Sequence, residues 1–107
     1  MGLPKTSYSL RIVENHKIVL YKDIQQNCQV LKPRRDLYKY TGDFSWGYNG
    51  TGVKFLATSI LGHHLNIGNG GPVPDSKDVD KVIELLASIP QNSEADIPSS
   101  QIDSLLK

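Results

Sequence analysis

The sequence has few of the residues that form cross-links, and no segment that crosses membranes. Cys28 is its only cysteine, so the 107-residue chain has no partner for an internal disulfide. No segment approaches the roughly 20 consecutive apolar residues that cross a bilayer. Residues 1–10 lack the apolar centre of a signal peptide. These absences predict a cytoplasmic protein in a reducing compartment, with no membrane association.

Patterns typical of catalysis and metal binding are also missing. Cys28 has no neighbouring base to activate it, and no close pair of carboxylates suggests acid–base chemistry. His63 and His64 are adjacent and lack the spacing of a zinc site. Near the end of a helix, we expect both histidines to stabilise the helix in their charged form. The sequence predicts a protein that is not an enzyme and that uses no metal and no cofactor.

The charges are unevenly distributed along the chain, although the net charge is only +1. Up to Tyr40 there are eight basic and three acidic residues, whereas the remainder has four basic and eight acidic residues. This asymmetry favours a basic side that attracts partners of opposite charge, including nucleic acid. Alternatively, the two halves neutralise each other across the fold. The sequence leaves both interpretations open.

Hydrophobic alternation predicts a small antiparallel sheet in the first 40 or so residues. Residues 7–13 and 17–22 alternate around a turn-prone asparagine and predict a β-hairpin. Residues 28–31 are compatible with a short third strand, which Pro33 ends because proline cannot donate to a ladder. Residues 37–40 are interpreted as a further edge strand.

Two main helices follow the strands. Residues 53–65 are apolar on nearly all sides, which predicts a helix that is covered on more than one face. Residues 77–88 predict a second helix that Asp75 or Ser76 caps. Together with the strands they predict an α+β fold, in which a small antiparallel sheet packs against two main helices.

Residues 91–107 are predicted to lie outside the main domain. Residues 1–90 are expected to form the single α+β domain, and residues 91–107 a polar linker with a short C-terminal helix. Ser99 or Ser100 can cap this helix, which carries apolar residues between 102 and 106. A helix of this length is marginal alone. It is expected to dock on the domain, to dock on a partner, or to fray.

The first candidate site is the glycine stretch, residues 44–52, which contains the only tryptophan and three glycines directly before the predicted helix. N–H groups at a helix start lack intrahelical partners and attract anions, and aromatic rings can stack on a nucleobase. Alternatively, the aromatics fill the core and the glycines permit a tight loop. The stretch lacks the glycine order and the lysine of phosphate-binding motifs. The candidate ligand-binding residues are Trp46, Gly47, Tyr48, Asn49, Gly50, Thr51 and Gly52.

The second candidate site is the basic segment, residues 32–39. Its candidate ligand-binding residues are Lys32, Arg34, Arg35 and Lys39. Arginine pairs bidentately with phosphate and carboxylate, so a phosphorylated ligand or a nucleic-acid backbone would fit. Alternatively, the segment is a solvated loop. Without a recognised nucleic-acid motif, support for nucleic-acid binding is weak.

The glycine stretch also carries a resemblance to a known family. Its matching residues, in order, are Phe44, Trp46, Gly47, Tyr48, Gly50 and Gly52, followed by an aliphatic helix. In this pattern the chain resembles domain of unknown function 6166, an uncharacterised family of phages, prophages and bacteria. The chain departs from the family pattern at Thr51, where serine is usual, and at Val53, where proline is usual. The resemblance implies a related fold and a phage or mobile-element origin, and it implies no activity.

Taken together, these features predict a non-enzymatic binding protein of phage type, located in the cytoplasm of a bacterial host. It would hold an anionic, nucleotide-derived ligand between residues 47–52 and the basic segment, and so sequester a signal of a host defence system. An alternative is an interaction protein that inhibits a host defence protein or a nucleic-acid-binding complex by direct contact. A third is a structural domain with no pocket. The sequence gives no oligomeric state.

Overall fold

The computed structural model describes residues 6–106 and contains a four-stranded sheet and three helices. The strands are β1 (Ser7–Val13), β2 (His16–Lys22), β3 (Cys28–Val30) and β4 (Ala95–Pro98). The helices are α1 (Thr51–His64), α2 (Ser76–Ala87) and α3 (Ser99–Leu105). The predicted α+β fold, with two main helices and a short C-terminal helix, is confirmed.

The sheet is antiparallel throughout, in the order β3-β2-β1-β4. β1 and β2 form the predicted hairpin, in which Glu14 and Asn15 turn the chain at φ 52° and 67°. Both values lie in the left-handed region, which asparagine tolerates well in hairpin turns. Tyr8, Leu10 and Val19 are almost completely buried on the side of the sheet that joins the hydrophobic core.

The fourth strand is the main departure from the predicted fold. β4 begins inside the predicted polar linker, and its Ile97 pairs with Tyr8 of β1. Ile97 is the only large apolar residue of β4, and four residues are too few to display alternation. Pro98 also argues against a strand, but β4 lies at the edge of the sheet, where proline is tolerated. The linker prediction is therefore wrong at Ala95 and Asp96, which belong to β4.

The edge strand predicted at residues 37–40 is also wrong. The N–H groups of Leu37 and Tyr38 both donate to the carbonyl of Arg34, at 3.1 and 3.2 Å, so the chain turns there. Tyr38 and Tyr40 pack around Phe55 of α1, with ring centroids 6.3 and 5.4 Å away. The aromatic residues that suggested a strand are used for packing on the helix.

The three helices enclose the core from the other side. Of α1, residues 55–62 are all buried, which confirms a helix covered on more than one face. Asp75 caps α2 by accepting from the N–H of Lys77 at 2.8 Å. In α3, Ile102 is fully buried, so the terminal helix docks on the domain. Among the helices of residues 6–106, none is both long and apolar enough to span a bilayer.

Candidate functional site

The start of the glycine stretch is built into the fold. Trp46 is fully buried, and its indole N–H donates to the carbonyl of Ser93 at 2.9 Å. Gly47 donates to the carbonyl of Leu86 at 3.0 Å and has φ +89°, a conformation that favours glycine. A Cβ on Gly47 would lie 2.5 Å from the Cα of Gln91. The stretch thus joins the entrance of α1 to the end of α2 and to the chain that leads into β4.

The rest of the glycine stretch is more open to solvent. Tyr48 is 43% exposed, and Asn49 and Thr51 are also exposed. Gly50 is the N-cap residue of α1, and Gly52 is buried, where a Cβ would lie 3.0 Å from the carbonyl oxygen of Asp43. None of residues 46–52 lines either cavity described below. Ligand binding by these residues stays a prediction.

The basic segment divides between two cavities. Residues 31–34 have no regular secondary structure. From Lys32 to Arg35, successive residues line two different cavities in alternation. Lys32 and Arg34 line one cavity, which we name the His63 cavity. Arg35 lines another, which we name the Lys17 cavity. Lys39 is exposed and lines neither cavity, so the structure does not bring the four basic residues together.

The His63 cavity has a volume of about 410 Å³ and lies between β2 and the C-terminal end of α1. Small-molecule sites usually have volumes of roughly 300–1,000 Å³. Its polar lining comes from Lys32, Arg34, His63 and Asn66, and Tyr21 adds an aromatic wall. Each of the four polar side chains carries a hydrogen-bond donor, and no carboxylate belongs to the lining. The lining therefore favours a ligand rich in acceptors.

His63 is held in one orientation by Tyr8. The Tyr8 hydroxyl oxygen lies 2.9 Å from Nδ1 of His63. Burial, followed by the nearby Tyr21 and Asp103, raises the pKa of Tyr8, so the hydroxyl keeps its proton at pH 7. Burial, followed by the neighbouring His64, lowers the pKa of His63. The lowered pKa favours the neutral form of His63 at pH 7, which argues against the predicted charged form for this residue.

The guanidinium of Arg34 is used mainly in hydrogen bonds within the protein. Its Nε and Nη2 donate to both carboxylate oxygens of Asp36, at 2.9 and 2.8 Å. Nη1 and Nη2 also donate to the carbonyls of Ile67 and Gly68, both at 2.8 Å. The hydrogen bond from Arg34 is the main reason that the pKa of Asp36 is lowered. Because Arg34 is already paired, Lys32 is the lining cation that has no ion pair among residues 6–106.

The lowered pKa of His63 predicts a pH dependence of stability. Between about pH 6.5, the ordinary histidine pKa, and its lower folded value, the unfolded chain binds more protons than the folded one. The free energy of unfolding should therefore fall as pH falls through this window. His63→Gln should remove part of that slope, whereas His16→Gln, at an exposed position, should keep it. Urea denaturation at several pH values measures this, and identical slopes for wild type and His63→Gln would contradict it.

The sequence interpretation missed several residues that line these cavities. Tyr21, His63 and Asn66 belong to the His63 cavity, and Lys17 to the other. One usable signal was present for Lys17. Alternation in β2 places its side chain on the same face as Val19 and Tyr21, where a lysine is unusual.

Neither a search for metal-binding groups nor a comparison with known proteins identifies a further functional residue. Within the described part of the chain, no three histidine, cysteine, aspartate or glutamate side chains form a metal-binding group. The resemblance to domain of unknown function 6166 stays a prediction. No protein-family model, no curated protein and no solved structure matches the chain.

Proposed function

We propose that the protein is a non-enzymatic binding protein that holds an anionic small molecule with a flat ring in the His63 cavity. The observation that carries the proposal is a cavity lining in which Lys32, His63 and Asn66 carry hydrogen-bond donors and the rings of Tyr21 and His63 are in contact. The ring centroids of Tyr21 and His63 lie 4.1 Å apart. Nucleotide-derived compounds combine a flat ring with strongly accepting phosphate oxygens, so they match both features.

Each part of the cavity has a distinct role in this proposal. The ring of Tyr21 stacks on the flat part of the ligand, a contact worth about 1–3 kcal/mol for a base on an aromatic side chain. Lys32, whose side chain is exposed, pairs with the phosphate as a mobile point charge. The His63 ring, in the tautomer that accepts from Tyr8, and the amide of Asn66 donate to acceptors on the ligand. Arg34 keeps the loop after α1 in place.

The biological part of the proposal rests on the resemblance of the glycine stretch. A phage or mobile-element origin would make the ligand a signal of a bacterial defence system, which the protein sequesters in the host cytoplasm. This step is an analogy with the size and origin of such proteins. It adds one requirement, which is that the ligand be bound and left chemically unchanged.

A thermal-shift screen tests the proposal. The screen adds mononucleotides, cyclic mononucleotides and cyclic dinucleotides, each in excess. One of these classes should raise the midpoint of thermal unfolding by several degrees. Lys32→Gln should lower the affinity for that ligand by about tenfold, which corresponds to 1.4 kcal/mol of binding free energy. Lys39→Gln removes the same charge from outside the cavity and should have no effect. A panel without any response, or equal losses in both variants, would contradict the proposal.

A second candidate function is inhibition of a host protein by direct contact. The observation that favours it is β3, which lies at the edge of the sheet with all three residues exposed, including Val30 at 70%. Such an edge offers unpaired backbone groups to a partner strand. Ile102 of α3 is buried in the core of the domain, so this side chain does not contribute to such a contact.

A further inference from the structure

A second cavity lies on the other side of the basic segment. The Lys17 cavity has a volume of about 160 Å³, much smaller than the His63 cavity. Three charged residues line it, Lys17, Arg35 and Asp43, and the remainder of its lining is apolar. A volume of this size suits a single small group rather than a nucleotide.

Lys17 lines this cavity and is a partly desolvated cation. Its ammonium lies 4.8 Å from the centroid of the Trp46 ring, 3.4 Å from the Trp46 carbonyl oxygen and 3.5 Å from Oγ of Ser45. In the described part of the chain it forms no ion pair. Burial lowers the pKa of Lys17, which is the expected result when no carboxylate compensates the lost hydration. An anion beside Lys17 would restore that compensation.

Arg35 brings a guanidinium with free donors. Its Cζ lies 4.9 Å from the centroid of the Phe55 ring, and Nη1 donates to the carbonyls of Tyr40 and Gly42. Nε and Nη2 have no protein acceptor within residues 6–106, and Arg35 forms no ion pair there. A guanidinium with adjacent free N–H groups matches two oxygens of one planar or tetrahedral oxyanion.

We propose that the Lys17 cavity binds a small oxyanion group, a phosphate, sulfate or carboxylate, between the ammonium of Lys17 and the guanidinium of Arg35. Asp43 opposes binding, since its carboxylate lines the same cavity. The site shares no charged residue with the His63 cavity, so it does not depend on the proposed function.

Fluorescence of Trp46, the only tryptophan, gives a direct readout. Inorganic phosphate is titrated at constant ionic strength with chloride as the balancing ion, and the emission should change saturably. Parallel titrations with sulfate, acetate and methyl phosphate distinguish the oxyanion type and separate free phosphate from a phosphate ester. Lys17→Gln should weaken binding at least tenfold. Lys39→Gln removes the same charge from a residue that lines neither cavity and should leave phosphate binding unchanged.

Asp43→Asn provides a second test, in which binding is expected to improve. A loss of stability in the variant therefore cannot imitate the expected result. Asp43 is exposed, and removing its charge should tighten phosphate binding severalfold. A linear, unsaturable response of the wild type would overturn the proposal. So would equal affinity in the wild type and Lys17→Gln, or an Asp43→Asn variant that binds no more tightly.

Discussion

Trp46→Ala is expected to lower the free energy of unfolding by about 3–5 kcal/mol, the usual cost of truncating a buried aromatic side chain. Trp46 is fully buried, and its loss also leaves the Ser93 carbonyl without its donor and Lys17 without its aromatic contact. A domain of this size has a total stability of about 5–15 kcal/mol. The variant should therefore lose a large part of its stability, as measured by urea denaturation followed by circular dichroism.

Tyr48→Ala is the matched control for this prediction. Tyr48 belongs to the same stretch and is also aromatic, but it is 43% exposed. Its truncation should cost less than about 1 kcal/mol, as is usual for substitutions near the surface. If Trp46→Ala and Tyr48→Ala were equally stable, the stretch would not have the structural role assigned to it.

A chain that ends at Pro90 is expected not to fold. It would lose β4, which pairs with β1, and the buried side chains of Ile97 and Ile102. Each buried isoleucine contributes about 2–5 kcal/mol when compared with alanine, so the two losses together approach the total stability of such a domain. Circular dichroism and the dispersion of amide proton shifts measure the outcome. A folded 1–90 fragment would support the predicted domain boundary and contradict the role of β4.

Two point variants separate the effect of the core from that of chain length. Ile102→Ala removes one buried contact of α3 and should destabilise the full chain by about 2–5 kcal/mol. Ser104→Ala changes an exposed position of the same helix and should lie within about 0.5 kcal/mol of the wild type. Equal stability of the two variants would show that α3 is not part of the core.

Local patterns were sufficient to predict the hairpin and the main helices. Alternation in β1 and the apolar residues of α1 are properties of neighbouring residues, so the sequence displays them directly. β4 was missed because its evidence is not local. Ile97 is recognised as a strand residue only through its pairing with Tyr8, about 90 residues earlier. No short segment of the sequence contains both residues.

Of the residues that line the His63 cavity, the sequence indicated only Lys32 and Arg34, and it did not indicate their arrangement. Lys32 and Arg34 were identified as basic residues, but their separation from Arg35 depends on the backbone path of the basic segment. The neutralisation of Arg34 requires the geometry of Asp36 and of the loop after α1. The approach of Tyr21 to His63 joins a strand to a helix end, which only the folded chain brings together.

Chemical-shift mapping of the wild-type protein tests the central claim most directly. The ¹⁵N-labelled protein is titrated with the nucleotide class that stabilises it most. The account predicts saturable shifts at the amides of Lys32, Gly62, His63 and Asn66, all of which lie at the His63 cavity. It predicts no comparable shifts at the amides of residues 50–52. Saturable shifts centred on residues 50–52, with the cavity amides unchanged, would contradict it and would place the ligand at the glycine stretch.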